Sequence, residues 1–200
     1  NILLEYLQAL GPAQSLELKP LTLKLTVLLL VSSGHRVQTL DHLDIEHLVL
    51  TSEVAKFTIL TKLKHTRSKG TEIIFKKYPQ DPRLCVLAHL THYLQVTEPH
   101  RSSTKLLLSY QRPFGPVGTQ TIARWVKHIL HKAGINLDMF GPHSIRAASS
   151  ASAKRGGAQL NTILQAGSWS HQGTFAKWYD KPINVSGPSF QEAVLDRHTK

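Results

Sequence analysis

Cysteine occurs once in these 200 residues, methionine occurs once, and Asp plus Glu number 13 against 24 Lys plus Arg. A single thiol, Cys85, cannot close a disulfide within the chain, and it argues against a cysteine-based zinc site. Cys85 lies in an apolar helical pattern and reads as a small core residue. The apolar run Leu21 to Ser33 is interrupted by Lys24 and is too short to span a bilayer, so no membrane partner is expected. Glu5 breaks the first apolar stretch, which removes a cleavable signal pattern. No repeat or low-complexity tract is present. The first residue is Asn1 rather than methionine, so the chain reads as a piece of something longer.

What is present is enough for a core. Apolar residues make up 41% of the chain, which fits one domain with a short appendage and excludes wholesale disorder. The formal charge of +11 favours a polyanionic partner, although a solvated basic surface has the same composition.

The patterning predicts a mainly α-helical α+β domain with a small antiparallel sheet. Residues 1–10 repeat at helical spacing and stop at Gly11-Pro12. Leu21 to Val31 predicts a buried helix capped or broken at Gly34. Arg36 to Leu43 predicts a further helix, with Val37, Leu40 and Leu43 inward. The short β-prone runs Leu48 to Leu50, Phe57 to Leu60 and Ile73 to Phe75 predict the sheet, with Lys64 and Lys69 at its second turn. The helical period returns after Asp81-Pro82, where Leu84, Leu87, Leu90 and Leu94 mark one face. Lys105 to Tyr110 reads as extended. Gln120 to Ala133 predicts an amphipathic helix with Ile122, Trp125, Val126, Ile129 and Leu130 inward. A small-residue helix is predicted for His143 to Lys154, ended by Gly156-Gly157, and short helices for Leu160 to Ala166 and around Phe175 to Tyr179.

Against this background, basic residues far apart in sequence precede a late tyrosine. Arg36 ends Ser33-Gly34-His35-Arg36, and Lys62, Lys64, Arg67 and Lys69 form a basic stretch. His143 and Arg146 stand three apart, which on a helix places them on one face. Taken alone, that pair is better read as a buried helix-start histidine beside a surface arginine. Trp169 and Tyr179 follow, and each reads alone as a packed aromatic.

As an ordered set these parts resemble the catalytic domain of the tyrosine recombinases, the phage-integrase family. His143-Ser144-Ile145-Arg146-Ala147-Ala148-Ser149 matches the block His-Ser-x-Arg-Ala-Ala-Ser of DIRS and Crypton transposable-element recombinases. Trp169-Ser170, Thr174-Phe175 and Tyr179 match their later block. The likeness runs from about Leu21 to Pro182. It implies the DNA breaking-rejoining catalytic fold over residues 1–182, with 1–18 as a candidate lead-in helix and 183–200 as a tail.

The resemblance also implies roles. Arg36 and Arg146 would clamp the phosphate, Lys64 would be the general acid, His143 would assist proton transfer, Trp169 would donate a hydrogen bond, and Tyr179 would be the nucleophile. Lys62 and Lys69 compete with Lys64 for its role; with Arg67 they would otherwise grip the DNA backbone. No metal or other cofactor is implied. The implied partners are double-stranded DNA and further copies of the chain, four in a full complex. The implied location is the nucleus in a eukaryote, and otherwise the cytoplasm or nucleoid. Thr39 stands where many relatives have an acidic residue. At the commoner bacterial spacing Trp178 would take the nucleophile's place, but it has no nucleophilic oxygen. A DNA-binding remnant without catalysis and a type IB topoisomerase are the alternative readings.

Overall fold

The computed structural model describes residues 2–61 and 70–167. Helix α1 (Ile2–Ala9) leads into α2 (Leu18–Ser33), the element around which the others assemble. Every residue from Leu21 to Leu30 is buried, so α2 meets neighbours on all sides. Its hydroxyls need no outside partner. Thr22 Oγ1 donates to Leu18 O at 2.7 Å, Thr26 Oγ1 to Thr22 O at 2.8 Å, and Ser33 Oγ to Leu29 O at 2.7 Å. The buried Lys24 spends its ammonium on the Gly11 carbonyl. Burial lowers its pKa to about 8, Asp81 opposes that shift, and Arg83 adds to it.

After α2 comes α3 (Val37–Leu40), a single turn with Arg36 as its N-cap residue. The predicted helix from Arg36 to Leu43 is therefore too long at both ends. Long-range bonds stop it. Lys105 Nζ donates to Asp41 O at 2.8 Å, Thr119 Oγ1 donates to Asp41 Oδ2 at 2.9 Å, and Leu106 N donates to Leu43 O at 2.9 Å. Leu43 keeps its inward place, at 1% exposure.

The predicted sheet is present as β1 (Leu48–Leu50), β2 (Val54–Ile59) and β3 (Thr71–Lys76), antiparallel in that order. Leu48, Phe57 and Ile73 are cross-strand partners on the inner face, while Val49, Lys56 and Ile74 are partners on the outer one. Ala55, Phe57, Ile59, Ile73 and Phe75 are buried, and β3 lies against α2 and α4.

Helix α4 (Val86–Thr97) turns a different face inward from the one the leucines marked. Leu87 and Leu90 are buried, but so are His89 and Tyr93, while Leu84 and Leu94 are only half-buried. Tyr93 accounts for the rotation, because its buried hydroxyl accepts a hydrogen bond from Leu108 N at 3.0 Å. The segment predicted as extended, Lys105 to Tyr110, forms two isolated bridges rather than a strand, from Lys105 to Asp44 and from Leu108 to Pro116. Arg101, four residues past the end of α4, holds that segment by donating to Lys105 O at 2.9 Å and Leu106 O at 3.0 Å.

Helix α5 (Thr119–Lys132) buries the five residues its period marked: Ile122, Trp125, Val126, Ile129 and Leu130. It packs against α2 and α3. Helix α6 (Pro142–Arg155) and α7 (Leu160–Ala166) complete the described fold, which is mainly helical with one small antiparallel sheet.

Candidate functional site

The site starts where α2 ends. Gly34 takes the left-handed conformation (φ 64°, ψ 12°) and donates its N–H to Leu30 O at 3.0 Å. A side chain is disfavoured at that φ, which is why glycine closes the helix there. His35 N donates to Ser33 Oγ at 3.3 Å, so the turn is held immediately after its glycine. Two residues beyond Gly34, half-buried Arg36 starts α3 in extended conformation.

Helix α6 comes to this turn from the other end of the sequence. Gly141 is its N-cap residue and Pro142 occupies its first turn, where the missing N–H is harmless. Serines and alanines let α6 approach closely: a Cβ on Gly34 would lie 3.9 Å from Ser150 Oγ. Arg146 is 3% exposed, and its Nη1 donates to the Gly34 carbonyl at 2.7 Å. Ser150 Oγ in turn donates to Arg146 O at 2.8 Å. His143, one turn earlier on α6, is exposed. The arrangement is the reverse of a buried histidine with a surface arginine.

The structure thus brings Arg146 to the turn that carries Arg36, and sets His143 one helical turn away on α6. A guanidinium costs free energy to bury and keeps its charge at any ordinary pH. One of its nitrogens is occupied by a carbonyl, which fixes the plane of the fork.

Sequence reasoning did not single out His35. It is 5% exposed, and its pKa is lowered to about 4, first by burial, then by Arg146 and then by Arg36. The ring therefore lies within the field of both guanidinium groups and is neutral at pH 7. The only signal for it in the sequence was its place beside Arg36. Thr39 is buried, and its N–H donates to Arg36 O at 2.9 Å.

Lys62, Lys64, Arg67, Lys69, Trp169 and Tyr179 lie outside the described residues, as does the predicted helix around Phe175 to Tyr179. In sequence the four basic residues fall between Ile59 and Thr71, which are paired at the ends of β2 and β3. Among the described residues, no group of three or more His, Cys, Asp or Glu is placed to hold a metal ion.

A family model described as the phage integrase family matches residues 4–183. Among solved structures, the XerA recombinase superimposes with a TM-score of 0.67 at 20% identity, over 99% of this chain and 60% of that one. The XerH site-specific recombinase bound to its difH substrate, in a pre-cleavage complex, gives 0.66 at 17% identity, over 90% of this chain and 48% of that one. A lambda integrase tetramer bound to a Holliday junction gives 0.54 at 15% identity, over 94% and 49%. The chain thus spans between about half and three fifths of the length of these structures, and at such identities the likeness is one of fold. No curated protein matches the chain.

Proposed function

Since the chain belongs to the phage integrase family, we propose that it is the catalytic domain of a tyrosine recombinase that cuts and rejoins duplex DNA through a 3′-phosphotyrosyl link. The observation that carries this reading is the bond from Arg146 Nη1 to Gly34 O at 2.7 Å, which sets one arginine beside the turn of the other. Two arginines brought to one turn suit a phosphodiester, whose non-bridging oxygens accept paired hydrogen bonds.

In this reading the hydroxyl of Tyr179 attacks the phosphorus, and His143 assists removal of its proton. The bond from phosphorus to the 5′ oxygen breaks, and Lys64 protonates the departing oxygen. Charge grows on the non-bridging oxygens in the pentacoordinate transition state. Fixed arginines therefore stabilise that state more than the bound substrate. Trp169 adds one N–H donor. The phosphotyrosyl ester conserves the energy of the broken bond, so the free 5′ hydroxyl can reverse the step without ATP or a metal.

Residues 1–182 form the catalytic domain in this reading, and 183–200 its tail. The full reaction joins four copies on two DNA sites. Kinship with DIRS and Crypton recombinases is supported by the His143 to Ser149 block and by the spacing of Trp169, Thr174 and Tyr179. That kinship would put its work in the nucleus.

The test is a covalent-adduct assay. The chain is incubated with nicked duplexes from a randomised pool, and protein-linked DNA is recovered under denaturing conditions. Wild-type protein is expected to form the adduct and Tyr179→Phe to form none. An adduct that persists in Tyr179→Phe overturns the choice of nucleophile. DNA binding by the wild type with no adduct overturns the enzymatic reading.

A further inference from the structure

The two arginines of the site are held in different ways. Arg146 is anchored by its side chain, which donates to the Gly34 carbonyl. Arg36 is half-buried, and no hydrogen bond or ion pair from its guanidinium is found among the described residues. Its place therefore depends on its backbone, as the N-cap residue of α3.

A single turn of helix does not hold itself. Closing one turn fixes several dihedrals for one hydrogen bond, so α3 takes its shape from what it is tied to. Val37 and Leu40 are buried, and the turn packs against α5. Apolar contact is non-directional, so it does not fix the rotation of so short an element. Directed bonds come at its other end, on Asp41, the C-cap residue. Asp41 Oδ2 accepts from Oγ1 of Thr119, the first residue of α5, at 2.9 Å. Asp41 O accepts from Lys105 Nζ at 2.8 Å. The side chain of Asp41 thus ties the turn to α5, and its main chain ties the turn to the segment after α4. Asp41 stands five positions after Arg36, about 7.5 Å at helical rise. A shift at one end of so short an element is passed to the other.

We propose that Asp41 is a positioning residue for Arg36: its carboxylate, held by the Thr119 hydroxyl, sets the rotation of α3 and so the direction in which the guanidinium leaves the turn. This rests on the recombinase reading above and concerns the same phosphate site. Asp41 and Thr119 touch no reacting atom and act through the turn alone. Their leverage comes from geometry, since a displacement of about 1 Å at a group that positions or stabilises the reacting centre can cost about a hundredfold in rate.

The experiment uses the full chain and a nicked duplex that the wild type converts to the covalent adduct. The single-turnover rate at saturating DNA, the DNA concentration giving half that rate, and urea unfolding are measured for each variant. Asp41→Ala and Thr119→Val should each lower the saturating rate by about tenfold, with the half-saturating concentration within about threefold of wild type. The double variant should be no slower than either single one, because both remove the same bond. Asp41→Asn keeps an acceptor and Thr119→Ser keeps the hydroxyl, so each should retain most of the rate. The decisive comparison is made in an Arg36→Lys background. A residue that acts through the guanidinium has little left to disturb once that group is gone, so Asp41→Ala should slow Arg36→Lys by less than about twofold. The inference is overturned if Asp41→Ala and Thr119→Val react at the wild-type rate. It is equally overturned if the tenfold fall recurs in full beside Arg36→Lys, which would mark Asp41 as a support of the fold alone. Should Asp41→Ala fail to fold, Thr119→Val makes the same comparison. Absence of adduct in the wild type overturns the underlying reading instead, so the two failures are distinguishable.

Discussion

Arg146 Nη1 and the carbonyl oxygen of Gly34 are 2.7 Å apart, although 112 residues separate them in sequence. The bond joins a helix C-terminus to a buried arginine, and it sets Arg146 two residues from Arg36. Whatever displaces Gly34 displaces both arginines relative to each other.

Arg146→Lys should therefore damage both fold and chemistry. A lysine carries a compact charge with no planar fork, so it cannot present two parallel donors to an anion while its group stays held on the carbonyl in the arginine's geometry. Leaving the Gly34 carbonyl without its donor should cost about 1–3 kcal/mol, readable in urea unfolding. Adduct formation should drop by about 10²–10³-fold while DNA binding changes little. Gly34→Ala should destabilise by about 1–2 kcal/mol through its left-handed backbone, since a Cβ there meets only Ser150 Oγ at 3.9 Å. Gly34→Asn, which tolerates that conformation, should lose less.

Tyr93→Phe tests the bond that turns α4. Tyr93 is fully buried, and its hydroxyl accepts from Leu108 N at 3.0 Å. Phenylalanine fills the space but leaves the Leu108 amide without an acceptor. A loss of about 1–3 kcal/mol in chemical denaturation is expected. An unchanged midpoint would mean that the face of α4 is set by its aliphatic contacts instead.

These two bonds also show what the sequence could and could not reveal. Helix α5 was legible residue by residue because its apolar positions follow the 3.6 period and its outer face is polar throughout. The end of α2 was legible because only Gly34 suits a left-handed cap there. The length of α3 was not, since Asp41 and Leu43 are held by residues 63 to 78 positions further on. Nor could a pattern of leucines foretell that Tyr93 would rotate α4. In the site, the spacing of His143 and Arg146 suggested a shared face, but the burial of Arg146 depends on a carbonyl that no local pattern names. His35 escaped notice because a histidine next to an arginine has no signature until a fold buries it.

The buried histidines make stability depend on pH in a stated direction. His35 and His89 each have a folded pKa near 4, below the ordinary 6.5, chiefly through burial. In the folded protein both are neutral where the unfolded chain would already bind protons. Stability is therefore fully present above about pH 6.5 and is lost as pH falls toward 4. Each histidine contributes a slope approaching about 1.4 kcal/mol per pH unit across that window. Unfolding free energies measured between pH 4 and 7 should show roughly half the wild-type slope in His89→Leu. A slope unchanged by that substitution would exclude His89 as a source of the acid sensitivity.

The outer face of α5 predicts how DNA binding should respond to salt. Arg124, Lys127, His128, His131 and Lys132 are exposed on it, and the helix holds no acidic residue to neutralise them. Lys19, from the start of α2, and Lys132 and His131 on α5 itself help to depress the pKa of His128, after burial as the first cause. The face therefore keeps its positive potential on Arg124, Lys127 and Lys132, while His128 is mostly neutral at pH 7. If those three side chains rest on DNA phosphates, each releases counterions on binding. The slope of log K against log salt should then flatten by about 0.9 for each contact removed. Alanine substitution of all three would lower it by nearly 3 and weaken binding most at low salt. His128→Ala at pH 7 should leave the slope almost as it was. An unchanged slope in the triple variant would turn this face away from the DNA and leave the phosphate contacts to other basic residues.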